Sequence, residues 1–232
     1  METVLILDFG AQYSQLIARR VREQNVYCEV KPCSISPAEI EKIAPIGIIL
    51  SGGPQSVYES VSLRVDPALF ALGIPVLGIC YGCQLMAYSL GGTVAAATEA
   101  TAREYGKTLT EFDTHSAIFQ DLPASSVTWM SHGDYISRVP DGFTVTAKTA
   151  VCPTAAMACP EKRLYGVQFH PEVQHTVEGS EMLRRFLYTV CGASGDWTMA
   201  DYRQTAIRSI REKVGSGLSL IHISEPTRRS YI

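Results

Sequence analysis

Residues 74–84 read Ile-Pro-Val-Leu-Gly-Ile-Cys-Tyr-Gly-Cys-Gln, and their order decides the fold. Residues 74–79 have the unbroken hydrophobicity of a strand covered on both faces. The chain then passes straight into residues 81–90, which read as a helix stopped by Gly91-Gly92. A buried strand running through a tight turn into a helix is the βα unit of a parallel sheet.

Working towards the N-terminus, the same unit recurs. Residues 4–9 (VLILDF) predict a buried strand ending at Gly10, and residues 12–24 a helix with Leu16, Ile17 and Val21 on one side. Residues 26–30 are rich in strand formers. Ser36-Pro37-Ala38-Glu39 is a capping box with proline at the first helical position. Residues 46–50 predict a strand that runs into Ser51-Gly52-Gly53-Pro54, and Asp66-Pro67 opens a helix that closes near Gly73. Such alternation implies right-handed crossovers in a doubly wound sheet.

Beyond Thr93 the rhythm changes. Residues 127–130, 143–147, 155–158 and 164–169 read as strands with few helices between them. Pro160-Glu161-Lys162-Arg163 predicts a hairpin turn joining the last two. Residues 181–190 return to helical spacing, ended by Gly192, and no internal repeat is present. The expected class is α/β, a doubly wound and mostly parallel sheet with an antiparallel β portion added in the second half.

Composition limits the function. The 232 residues are 46% hydrophobic and 19% charged, with net charge −3, so a large core is available and the basic footprint of a nucleic-acid binder is missing. No apolar run approaches the roughly 20 residues of a membrane span, and the N-terminus lacks a signal pattern. Seven scattered cysteines, an odd number, fit free thiols in a reducing cytoplasm better than a disulfide framework.

Cys80-Tyr81-Gly82-Cys83 admits two chemistries, a dithiol redox pair or a lone nucleophile, beside the plain alternative of packing cysteines. Gly78 and Gly82, two before and two after Cys80, suit a sharp elbow on which strand and helix backbones pass closely. There the helix N-terminus lowers a thiol pKa, and its first N–H can meet an oxyanion. Cys83 has no such frame. A nucleophilic cysteine needs a base, and His170 ends a predicted strand ahead of Pro171-Glu172. Pro171 keeps its predecessor extended, and residues two apart on extended backbone share a face. Glu172 can therefore reach the His170 ring and fix its tautomer, an arrangement for which a dithiol enzyme has no use. A zinc site from Cys80, Cys83 and a histidine lacks a second spaced ligand pair, so no metal is expected.

Residues 78–84 (GICYGCQ) and Val167-Gln168-Phe169-His170-Pro171-Glu172 resemble the nucleophile and His-Pro-Glu motifs of class I (triad-type) glutamine amidotransferases. Leu7-Asp8-Phe9-Gly10-Ala11-Gln12-Tyr13, Ile49-Leu50-Ser51-Gly52-Gly53-Pro54 and Trp129-Met130-Ser131-His132-Gly133-Asp134 resemble the amidotransferase domains of GMP synthetases in particular. The likeness runs from the N-terminus to about Gly215. It implies the flavodoxin-like fold of that family and hydrolysis of glutamine by Cys80, His170 and Glu172, with an oxyanion hole at Gly53 and Tyr81. Gly52, Gln84, Ser131, His132 and Gly133 match the glutamine-binding positions. The glutaminase half would use no cofactor. ATP and Mg²⁺ would serve an ATP-pyrophosphatase synthetase domain or subunit, the implied partner, which turns XMP into GMP. The likeness thus implies an amidotransferase domain over residues 1–192 and a connecting helix within 193–215. Residues 216–232 (SGLSLIHISEPTRRSYI) depart from the family pattern, hold no phosphate loop, and are expected to be a non-native-looking or disordered tail.

Overall fold

The computed structural model describes residues 2–59, 62–96 and 103–215, so the expectation for residues 216–232 lies outside the described residues. The chain divides into two compact units, Met1–Asp196 and Trp197–Ile232.

In the first unit the apolar runs become strands as expected. β1 (Thr3–Asp8), β3 (Gly47–Leu50) and β4 (Val76–Ile79) lie parallel in the middle of the sheet, with β2 (Tyr27–Pro32) beside β1. Helices α1 (Ser14–Glu23), α2 (Pro37–Ile43) and α3 (Tyr81–Ser89) follow β1, β2 and β4. The capping box at Ser36 is made in both directions: its hydroxyl accepts from Glu39 N, and Ser36 N donates to the Glu39 carboxylate. The segment opened by Asp66-Pro67 is a 3₁₀ helix, Pro67–Ala71, and not an α-helix: Asp66 caps it, but Gly73 follows before a second α-turn can form.

The second half adds more strands than the periodicity predicts. β5 (Thr93–Ala96) pairs with β8 (Asp134–Arg138) in a small separate sheet. β6 (Glu104–Phe112), β7 (Ser125–His132), β9 (Thr144–Lys148), β10 (Ala156–Cys159) and β11 (Leu164–Val167) extend the main sheet. The nine-stranded order is β2-β1-β3-β4-β11-β10-β9-β6-β7. It is parallel from β2 to β11 and antiparallel from β11 to β7. Residues 160–163 make the expected hairpin turn, a short 3₁₀ segment after which Arg163 adopts φ 55°. The expected helix over 181–190 is α4 (Gly179–Arg185) running into a π-helical stretch, Phe186–Val190.

Alternate residues of the central strands feed opposite faces. Val4, Ile6, Ile49, Leu77 and Ile79 join one buried cluster with Ile17 and Val21 of α1 and Leu183 of α4. Leu5, Leu7, Ile48, Leu50 and Val76 join another with Ile40 of α2 and Leu85 and Met86 of α3. Helices on both faces of a parallel core are the doubly wound arrangement. β4 and β11 lie where the sheet changes from parallel to antiparallel, and both strands end at the same edge, where ligands of open α/β sheets collect.

In the second unit Thr198 caps α5 (Met199–Val214) by accepting from Asp201 N, and Ile207, Ile210 and Val214 are exposed on that helix. No helix among the described residues is long and apolar enough to cross a membrane.

Candidate active site

The elbow after β4 is the focus. Cys80 adopts φ 51° and ψ −107°, a left-handed conformation that is strained for a residue with a Cβ. The surroundings hold it there. Cys80 N donates to Val167 O of β11 (2.8 Å), Gly82 N donates to Ser51 O after β3 (3.1 Å), and Cys80 O accepts from Cys83 N and Gln84 N. The glycines are needed for close approach. A Cβ on Gly78 would lie 2.7 Å from Cys83 N, and one on Gly82 would lie 2.5 Å from Leu50 O. The nucleophile-elbow reading of the glycine frame therefore matches the packing.

The two cysteines face different ways. Cys80 borders two clefts, one lined by Gly53, Tyr81, Gln84, Ser131, His132 and Gly133, the other by Tyr13, Gly52 and His170. Cys83 is fully buried under α3, where burial pushes its thiol well up and the neighbouring Cys80 and Cys152 add to the effect. All seven cysteines are free, so no disulfide joins Cys80 to Cys83.

His170 follows β11 and its main chain is pinned: its N–H donates to Trp129 O of β7 (3.0 Å), and its carbonyl accepts from the Thr176 hydroxyl (2.6 Å). Its Nδ1–H donates to Glu172 Oε1 at 2.8 Å, as the two-residue spacing across Pro171 predicts. That leaves Nε2 available to Cys80, which borders the same cleft. Burial alone would lower the His170 pKa, but the hydrogen bonds and negative charge of Cys80 and Glu172 outweigh it and raise it to about 10. The second oxygen of Glu172 is buried without a partner, so its charge is directed at the ring. Arg20 of α1 holds the Glu172 main-chain carbonyl at 2.9 Å. The Tyr13 ring meets the imidazole edge-on, with centroids 5.9 Å apart.

The remaining predicted residues surround this trio. Gly52 stands against it, since a Cβ there would come 3.3 Å from His170 Cε1 and 3.8 Å from Cys80 Cβ. Gly53 is packed on Phe9 and Tyr81. Ser131 presents its carbonyl 3.8 Å from the Cys80 sulfur. Gln84 is buried, and its amide nitrogen is committed to Asp134 O (2.8 Å) and Gln168 Oε1 (3.0 Å), which leaves its carbonyl oxygen to face the cleft it lines. The His132 side chain turns inward, against Glu104 and the Asp134 carbonyl, so only its main chain can shape the cleft.

Gln168 was not singled out by the sequence pattern, although it lies inside the quoted 167–172 stretch. It is fully buried, accepts from Gln84 and donates to the Cys80 sulfur at 3.6 Å. A fully polar side chain at the end of a buried strand was the available signal. Glu104 was missed as well, since its partner emerges only from the β6–β7 register. As chemistry, a strained thiol, a charged imidazole and a buried carboxylate can attack a carbonyl and return a proton to the leaving group.

Comparison with known proteins identifies the family. The family model "Glutamine amidotransferase class-I" matches residues 5–190. Over 223 residues the chain is 52% identical to a protein of Clostridium botulinum strain Alaska E43 named GMP synthase [glutamine-hydrolyzing], covering 96% of this chain and 43% of that protein. A namesake from strain Hall is 56% identical over 214 residues, covering 92% and 41%. The chain thus spans less than half the length of these curated relatives. Among solved structures, a Thermoplasma acidophilum protein provisionally named as one of the subunits of a GMP synthase matches with TM-score 0.71 and 30% identity, covering 89% of this chain and 98% of that one. A Thermotoga maritima glutamine amidotransferase shares the fold at TM-score 0.67 and 20% identity, covering 83% and 99%.

Proposed function

The chain belongs to the class-I glutamine amidotransferases, and from that premise we propose that it hydrolyses the side-chain amide of glutamine and delivers the ammonia to a synthetase that aminates XMP. The observation that carries the reading is Cys80 on its strained elbow with the His170–Glu172 pair beside it. The sulfur, its proton on His170, attacks the amide carbon, and the carbonyl electrons move onto oxygen. Main-chain N–H groups at Tyr81 and Gly53 receive that oxyanion. As the tetrahedral intermediate collapses, the imidazolium gives its proton to the departing nitrogen, ammonia leaves, and a γ-glutamyl thioester remains. His170 then takes a proton from water, the hydroxide adds to the thioester, and glutamate leaves as the sulfur regains its charge beside the imidazolium. Glu172 keeps Nδ1 protonated throughout and stabilises the charged ring.

Gly52, Gln84, Ser131, His132 and Gly133 bind the amino-acid end of the substrate. The Gln84 oxygen suits the α-ammonium, because its own amide nitrogen is already paired. These steps use no metal or cofactor; ATP and Mg²⁺ belong to the synthetase partner, and α5, with Ile207 and Ile210 exposed, leads towards it. The free cysteines support a cytoplasmic setting for this work.

The test measures glutamate release by the full chain, alone and with an added GMP synthetase ATP-pyrophosphatase domain, ATP, Mg²⁺ and XMP. Slow release that the partner accelerates, and that vanishes in Cys80→Ala, supports the reading. Release that persists in Cys80→Ala refutes it.

A further inference from the structure

Glu104 and His132 stand directly opposite each other on β6 and β7, both buried, and their hydrogen-bonding pattern does not close without one additional proton. His132 Nδ1 lies 3.0 Å from the Asp134 carbonyl, which can only accept, so Nδ1 carries a hydrogen. The other ring nitrogen, Nε2, lies 3.3 Å from Glu104 Oε2. A neutral ring with its hydrogen on Nδ1 would aim a lone pair at a carboxylate oxygen. Glu104 cannot turn away, because its Oε1 accepts from the Thr149 hydroxyl at 2.7 Å. Thr149 has no other role for that hydrogen, since its oxygen receives the N–H groups of Val151 and Cys152.

The same pair begins a continuous chain to the nucleophile. The Asp134 carbonyl that takes His132 Nδ1–H also takes the Gln84 amide; Gln84 donates to Gln168, and Gln168 donates to Cys80. Ser131 and Gly133, the neighbours of His132, line the cleft at Cys80. The inward His132 ring thus holds the segment that meets substrate.

We propose that His132 Nε2 bears this proton, forming a buried imidazolium–carboxylate pair with Glu104, and that the two act as positioning residues that set residues 131–134 for the amino-acid end of glutamine. The inference rests on the glutaminase reading for its substrate. Cys152 lies in the same group, with donor atoms of Glu104, His132 and Cys152 all within 4.8 Å of one another. Burial pushes the Cys152 thiol up to about 12, opposed by its hydrogen bond to the Thr154 main chain and reinforced by the Glu104 charge, so it remains a thiol and a poor cation ligand. A proton, and not a metal, satisfies the pair.

The test combines two readouts on the full chain. In nitrogen-15 spectra of labelled histidine near neutral pH, both ring nitrogens of His132 should be protonated in the wild type. Glu104→Gln, whose amide can donate to Nε2 while still accepting from Thr149, should show one protonated and one bare nitrogen. In kinetics, Glu104→Leu should raise the KM for glutamine about tenfold, as loss of a buried charged partner does, and Glu104→Gln should recover most of it. Alkylation of Cys80 by iodoacetamide, which needs no glutamine site, should be unchanged in both variants. A singly protonated His132 in the wild type, stoichiometric zinc uptake that Glu104→Gln abolishes, or parallel loss of alkylation and glutamine affinity would overturn the proposal. A wild type that releases no glutamate refutes the glutaminase reading alone, and the nitrogen shifts still decide the pair.

Discussion

A Cβ placed on Gly166 would stand 2.5 Å from the sulfur of Cys83, so the second cysteine of the Cys-x-x-Cys stretch is a wedge between α3 and β11. It has no exposure, whereas the Cys80 sulfur borders two clefts. Cys80→Ala should abolish both glutamate release and labelling by iodoacetamide. Cys83→Ala should keep most of the activity and lower stability by about 1 kcal/mol, the cost of a small buried void. Mass spectrometry after brief alkylation checks this. Equal loss of activity in the two variants would return the dithiol chemistry to consideration.

The His170 charge should be visible in stability. Its folded pKa is raised from 6.5 to about 10, so its contribution is complete below the unfolded value and is lost as pH climbs through about 10. The melting-temperature gap between the wild type and His170→Gln should therefore be widest below about pH 6.5 and narrow as pH rises through about 10. Glu172→Gln should reduce turnover by about 10²-fold and His170→Ala by more, since proton transfer is worth about 10²–10⁴. A gap that widens with alkalinity would contradict the assigned charge.

Two glycines should fail in different ways. Gly82→Ala sets a Cβ 2.5 Å from the Leu50 carbonyl in β3, which cannot yield, and should cost at least about 1–3 kcal/mol of stability. Gly52→Ala meets His170 Cε1 at 3.3 Å, and should leave the melting temperature nearly unchanged while turnover falls. Calorimetry and steady-state kinetics on the same preparations separate the two.

Gln84→Glu replaces a donor with an acceptor opposite two further acceptors, Asp134 O and Gln168 Oε1. The expected result is a glutamine KM raised by about tenfold or more, with stability lowered by about 1–3 kcal/mol. An unchanged KM would remove Gln84 from substrate recognition.

The parallel half of the sheet was legible because its strands are apolar on both faces, and so read as unbroken runs at 4–9, 46–50 and 74–79. β6 was not, because its polarity is inverted. Tyr105 and Leu109 face outward, while Glu104 and Thr110 are buried, Thr110 paired with Thr128 at 2.7 Å. A pattern that equates apolar with inside cannot find such a strand. β5 and β8 are short, and form only by pairing with each other. In the site, Cys80, His170 and Glu172 were legible from local frames, a glycine elbow and a two-residue spacing. Gln168 and Glu104 depend on which strand lies next to which, and local spacing does not carry that information.

The adjacency of β4 and β11 also constrains how the chain can be made. β4 leaves the ribosome with its partner β11 still unsynthesised, and everything from α3 to β10 emerges before Leu164 arrives to pair with Val76. During that interval β4 is the open border of a growing sheet, and its residues Val76, Leu77, Gly78 and Ile79 carry no charge to repel another chain. Translation that stalls or terminates before Leu164 therefore leaves a sticky half-sheet with Cys80 on an elbow whose N–H has no Val167 carbonyl to hold it. Nascent-chain quality control is expected to act on this protein mainly in that window.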